Sequence, residues 1–102
     1  MELAKLIYDL TDQLPSSEQF GLCSQMQRAA VSVPSNIAEG YRRNDRKEYI
    51  QFPGTALGSA AELDTQLIIT SKVYTSVATA TVLGLNEEIQ KMLHTLITKL
   101  KS

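Results

Sequence analysis

Apolar residues recur at three- and four-residue intervals through four successive stretches of this chain, and none of them alternates apolar with polar residues over the length of a strand. That spacing matches the 3.6-residue turn of an α-helix and builds one apolar stripe per helix. From Glu2 to Leu14 the stripe is Leu3, Leu6, Ile7, Leu10 and Leu14, with Lys5, Asp9 and Asp12 outside it. Pro15 closes the segment. Ser16 stands three residues before Gln19, a capping-box arrangement that predicts the next helix start.

The second stretch places Phe20, Leu22, Met26, Ala29, Ala30, Val33 and Ile37 on one face and Arg28, Ser32, Ser35, Glu39 and Arg42 on the other. The stripe keeps its phase across Pro34, which favours one kinked helix over a loop. A restart at Asn36, three residues before Glu39, is the competing reading. An interior proline costs about 3 kcal/mol, which packing can offset. Gly40 falls near the end of this helix, and "YRRN" reads as the connection.

Asp45 and Glu48 form a capping box for a third helix with Tyr49, Phe52, Ala56, Ala60, Leu63, Leu67 and Thr70 as its core face. Leu57, Asp64 and Ile68 lie on a flank. Pro53-Gly54 predicts a break or sharp kink early in that helix. A fourth helix begins vaguely, near Ala78, and carries Leu85, Ile89, Met92, Leu93, Leu96 and Leu100. Four helices with short connections imply an antiparallel up-down four-helix bundle, a single all-α domain over residues 1–102.

Composition narrows the function classes. Ten Lys and Arg stand against eleven Asp and Glu, a formal net charge of −1, so nucleic-acid binding would need a local basic patch. The lone Cys23 excludes an internal disulfide and fits a reducing cytoplasm. No apolar run has the roughly 18 residues of a membrane span, and the amphipathic N-terminus is not a signal peptide.

The stretch from "GLCSQMQRAAVSVPSNIAEGYRRNDRKEYIQF" to "GSAAELDTQLIIT", with "EEIQKMLHTLITKL" beyond, resembles the bacterial four-helix bundle proteins encoded in 23S rRNA intervening sequences. Gln25, Arg28, Ala29, Ala30, Ser32, Val33, Pro34, Asn36, Ile37, Ala38, Glu39 and Gly40 match the family's first motif. Gly58, Ser59, Glu62, Leu63, Thr65, Gln66 and Leu67 match its second. The resemblance implies a bundle that assembles into a ring-shaped homopentamer. It also implies a likeness in fold to the accessory protein of diversity-generating retroelements, which binds nucleic acid through a basic surface. The chain departs from the pattern in three ways. Gln27 replaces an arginine, Pro53 replaces an apolar helix residue, and the family's Phe-, Leu- and Trp-containing lead segment is not seen.

The strongest binding candidate is the cluster Arg42, Arg43, Arg46 and Lys47, joined by Arg28. Arginine forks suit phosphate oxygens, and a helix N-terminus adds backbone donors. The plain alternative is a helix junction whose cations pair with Glu39, Asp45 and Glu48. Asn36 and Glu39 read equally as functional residues or as partners for groups near Pro34. Pro34, Gly40, Glu62 and Gln66 are motif residues of structural or unassigned role. A di-iron site needs Glu-x-x-His on two helices, and His94 is the sole histidine, so neither metal nor cofactor is expected. Cys23 has no activating neighbour, and Ser32 and Ser35 have no triad partners, so the chain reads as a non-enzyme.

Overall fold

The computed structural model of the chain describes residues 2–42 and 46–101, and of residues 46–50 the backbone alone. Four helices run in the order α1 (Glu2–Thr11), α2 (Ser24–Tyr41), α3 (Arg46–Val73) and α4 (Ala80–Lys101). At 1.5 Å per residue, the 28 residues of α3 span about 42 Å, nearly the whole 44 Å long axis. Two contacts fix the sense of α2 against α3. Ser32 meets Ser59 and Met26 meets Thr70, so rising numbers on one helix face falling numbers on the other, and the pair is antiparallel. Asn86, near the start of α4, reaches Ala60 and Asp64, well back from the end of α3, so α4 folds back along it.

The core is built from the expected stripes. Leu3, Ile7 and Leu10 of α1 meet Met26, Ala30 and Val33 of α2, Ala56, Ala60, Leu63 and Leu67 of α3, and Val82, Ile89 and Leu93 of α4. On the third helix the predicted face is buried from Ala56 through Thr70, with Phe52 half-buried. Tyr49 and the capping pair Asp45 and Glu48 lie outside the described side chains.

Pro34 sits inside an uninterrupted α2, as the conserved phase of its stripe predicts. It has no N–H to offer the carbonyl of Ala30. Asn36 does not cap a new helix. Its Nδ2 donates backwards to the Ser32 carbonyl at 2.8 Å and to Ser32 Oγ at 2.9 Å. Pro53 corrects the sequence reading more sharply, because α3 runs through Pro53-Gly54 without a break. Pro53 is fully buried, so its ring is held by the core, and Thr55 Oγ1 donates to the Gln51 carbonyl at 3.1 Å on the exposed side.

The start of α2 differs from expectation. Ser16 lies in a short 3-10 turn, Ser16–Glu18, whose preceding residue is Pro15, so the Ser16–Gln19 capping box is not the start of α2. A π-helical turn, Gln19–Cys23, follows, with non-helical backbone at Gly21 (φ −106°, ψ −109°). This break decouples Phe20 from the phase of α2. Phe20, placed on the core stripe by its spacing, is 89% exposed. Met92 is the second such residue, at 70% exposure. Gly58 is exposed with open space around its Cα, so it is not a close-packing residue.

One hydrogen bond ties this irregular segment to the far end of α3. The Tyr74 hydroxyl donates to Glu18 Oε2 at 2.6 Å. That bond, then partial burial and the Glu18 charge, raise the phenol's pKa above its ordinary value. Neutral Tyr74 is the form the fold holds. Its stabilising effect is complete below the unfolded value of about 10 and is lost as pH rises through the higher folded value. A tyrosinate absorbance titration is expected to show a late-ionising phenol that vanishes in Tyr74→Phe and moves down in Glu18→Ala. Identical curves for the parent and both variants would contradict it.

Candidate functional site

Two regions gather the residues singled out in the sequence. The first is the junction of α2 and α3. Arg42 is exposed and directly follows the last residue of α2, Tyr41. Arg43 lies outside the described residues. Arg46 and Lys47 form the first turn of α3, and their side chains lie outside the described ones. The free N–H groups of a helix start make its N-terminus electropositive, equivalent to about half a positive charge. Cations are therefore disfavoured at this position unless an anion accompanies them. The sequence at this helix start holds Arg46 and Lys47 together with Asp45 and Glu48.

The second region is a polar cleft of about 290 Å³ between α2 and α3. Arg28, Ser32, Ser59, Glu62 and Gln66 line it, together with Gln25. The structure thus brings together motif residues that the sequence spreads over some forty positions. Ser32 Oγ and Ser59 Oγ are 2.9 Å apart, and Asn36 completes the chain of polar contacts across the two helices. Asn36 thus joins the Ser32–Ser59 contact to its own helix. Glu39 and Gly40 lie in the last turns of α2, Glu39 half-buried and Gly40 buried. Glu62 opens onto the cleft, whereas Asp64 lies against Asn86 on the α4 side, so these two carboxylates do not converge.

Arg28 and Arg42 connect the two regions. Fourteen residues apart on α2, they point within about 40° of each other and about 21 Å apart along the axis. Both are exposed. They mark one face of the helix, with the cleft beside Arg28 and the α2–α3 junction beside Arg42.

A family model described as "23S rRNA-intervening sequence protein" matches residues 1–95. The chain belongs to this family. No curated protein matches it. Among solved structures, this intervening-sequence protein is similar to a crystal structure from Bacteroides thetaiotaomicron VPI-5482, a protein of unknown function from the S23 ribosomal protein family. The TM-score is 0.79 at 21% identity, over 94% of this chain and 88% of that one. At that identity the likeness is one of fold.

The remaining chemistry-bearing groups of the intervening-sequence protein stand apart from both regions. Cys23 is buried, and its Sγ donates to the Thr11 carbonyl at 3.6 Å. Burial first, then the nearby carboxylates of Glu18 and Asp12, raise its pKa, so the unreactive thiol form dominates. His94 is exposed on α4. Among the described residues no three His, Cys, Asp or Glu side chains are placed to hold a metal ion, and no helix is long and apolar enough to cross a membrane. The sequence reading missed Asn86, a fully buried polar residue on the α4 core face, because it occupies a stripe position that the leucines around it suggest is apolar.

Proposed function

We propose that this chain is a non-enzymatic, ring-forming four-helix bundle that binds structured RNA or another nucleic acid through its arginine-rich surface. The feature that carries the reading is the exposed Arg42 at the end of α2, followed in sequence by Arg43 and, at the start of α3, by Arg46 and Lys47. The family's name ties its members to 23S rRNA, which favours RNA as the nucleic acid. With a net charge of −1, one copy binds weakly. A ring repeats the patch, and the homopentamer implied by resemblance would bind five times over, so that weak contacts become multivalent.

The test is binding to rRNA fragments at increasing salt, for the parent and for Arg42, Arg43 and Arg46 changed together to alanine. Each lost phosphate contact removes about 0.7–0.9 from the log–log salt slope, so the triple variant is expected to lose up to about two to three units of slope. Its affinity near 0.1 M salt is expected to fall by at least about tenfold. Unchanged affinity in the variant, or no salt dependence in the parent, sinks the idea.

A second reading, an adaptor oligomer for another protein, draws on Ile68, Ile69 and Val73. These three large apolar side chains of α3 face outward, more than one bundle core requires. Capture from lysate before and after nuclease treatment separates the readings, since a protein partner survives nuclease.

A further inference from the structure

From the Ser32–Ser59 contact, the antiparallel register sets polar side chains opposite one another across the α2–α3 cleft. One turn back along α2 and one turn on along α3, Arg28 faces Glu62, and a further turn sets Gln25 opposite Gln66. A cation on one wall stands against a carboxylate on the other. Both are exposed and line the same hollow of about 290 Å³, yet neither makes an ion pair among the described residues. Gln66 adds an unmet acceptor, because its Oε1 is out of solvent and has no hydrogen-bond partner among the described residues. The last torsion of a glutamine is broad, so the amide turns readily and offers that oxygen to the cleft. A donor placed there relieves the cost of leaving it unpaired.

These groups call for a ligand with acceptors for the Arg28 fork and, next to them, donors for Glu62 and Gln66. A phosphate alone satisfies only the arginine and is repelled by the carboxylate. An ammonium satisfies only Glu62. Among nucleobases, guanine carries both sets side by side, since O6 and N7 accept while N1–H and the 2-amino group donate. Adenine and cytosine present a single amino group to such a carboxylate, and uracil a single N–H. A hollow of this size admits one unpaired base and no duplex.

A second hollow, of about 460 Å³, lies between α1 and α2 and shares Arg28 and Ser32 with the first. Tyr8 stands in it, 48% exposed, beside Val31. An exposed aromatic ring next to a base site is a platform on which a neighbouring base stacks, whatever its identity.

We propose that the α2–α3 cleft takes one unpaired guanine of an RNA strand, with the Arg28 guanidinium on its O6 and N7, the Glu62 carboxylate on its N1–H and 2-amino group, and the next base stacked on Tyr8. This inference rests on the RNA reading of the proposed function and adds the base that the chain selects. The arginines of the α2–α3 junction supply attraction that is blind to sequence, and the cleft supplies the preference.

The experiment is fluorescence anisotropy with a labelled oligouridine strand and the same strand carrying one central guanosine or inosine. The parent is expected to bind the guanosine strand at least about tenfold tighter than plain oligouridine. Inosine lacks the 2-amino group and is expected to lose most of that gain. Glu62→Ala is expected to bind the guanosine and inosine strands equally, and Tyr8→Ser to weaken all three strands alike. Both sites are exposed, so unchanged melting temperatures check that the fold is intact. Arg42, Arg43 and Arg46 changed together to alanine are expected to lower every affinity and keep the preference. Free guanosine monophosphate is expected to compete only at concentrations at least about tenfold above the strand's, since it lacks the stacked neighbour. Competition at equal concentration overturns RNA as the source of the guanine. Equal affinity of the parent for guanosine and uridine strands, or a guanosine–inosine gap that survives Glu62→Ala, overturns the cleft site and leaves the arginine surface standing. A triple variant that matches the parent on every strand, with the guanosine preference intact, overturns the arginine surface and leaves the cleft.

Discussion

Asn86→Asp is expected to melt well below the parent at neutral pH and to regain much of the loss in acid. Asn86 is completely buried. Its Nδ2 donates to the Ala60 carbonyl at 2.8 Å and lies 3.4 Å from Asp64 Oδ1, while its own Oδ1 is buried with no hydrogen-bond partner among the described residues. An ionised carboxylate at this position loses both donated bonds, faces a second carboxylate and has no cation beside it. A buried, unpaired charge costs about 3–5 kcal/mol. For a chain of this size that is roughly 12–40 °C in Tm. Burial and Asp64 both raise the pKa of the new carboxyl above its unfolded value. The variant's relative stability is therefore greatest below the unfolded value of about 4 and is lost as pH climbs through the folded one. Thermal melts of parent and variant from pH 4 to pH 8 measure this, and a constant gap would refute the argument. Asn86→Leu makes the contrast. It removes a polar group that is only half satisfied, and is expected to stay within about 1 kcal/mol of the parent.

Leu67→Ala is the second large effect. Leu67 is fully buried on α3, in the middle of the core stripe that faces α2 and α4. Truncation removes the transfer energy of the lost carbons and leaves a cavity that the rigid α2–α3 pair closes only in part. The cost is about 2–5 kcal/mol. Set against the roughly 5–15 kcal/mol typical of whole domains, that is a large share. Ile69→Ala, two residues on and 44% exposed, is the control, expected to cost well under half as much. Urea unfolding of both variants gives the comparison, and equal losses would mean that the buried face of α3 has been misassigned.

Most of the bundle was legible because burial follows helical period. Ala56, Ala60, Leu63, Leu67 and Thr70 of α3 were read correctly from spacing alone, and so was the continuity of α2 through Pro34. The failures have local causes. Pro53 was expected to break α3, but a proline whose ring is buried is held in the helix by its neighbours, and propensity yields to that contact. Phe20 sits ahead of a backbone irregularity at Gly21 that shifts the phase of everything before it. Met92 obeys the period and is still exposed, because exposure depends on what packs against α4, which spacing within α4 does not hold.

The candidate site was legible in part. The basic residues at the α2–α3 junction fall within six positions of one another and could be named, along with the helix start beside them. The cleft could not be seen, since bringing Arg28 and Ser32 to Ser59, Glu62 and Gln66 requires the register of two antiparallel helices. The donation of Asn36 to Ser32, one turn back, is likewise invisible to spacing, which offers an N-cap instead.

The seat of α1 bears on how the molecule breathes. Leu3, Ile7 and Leu10 hold it on the rest of the core, and helices in water owe most of their stability to such packing. Lifting α1 exposes those three side chains, whereas α3, with α2 and α4 against it, retains most of the buried ones. Amides of Leu6 to Leu10 then exchange with solvent through an opening of α1 alone, faster than those of Leu63 to Leu67, which wait for the whole chain to unfold.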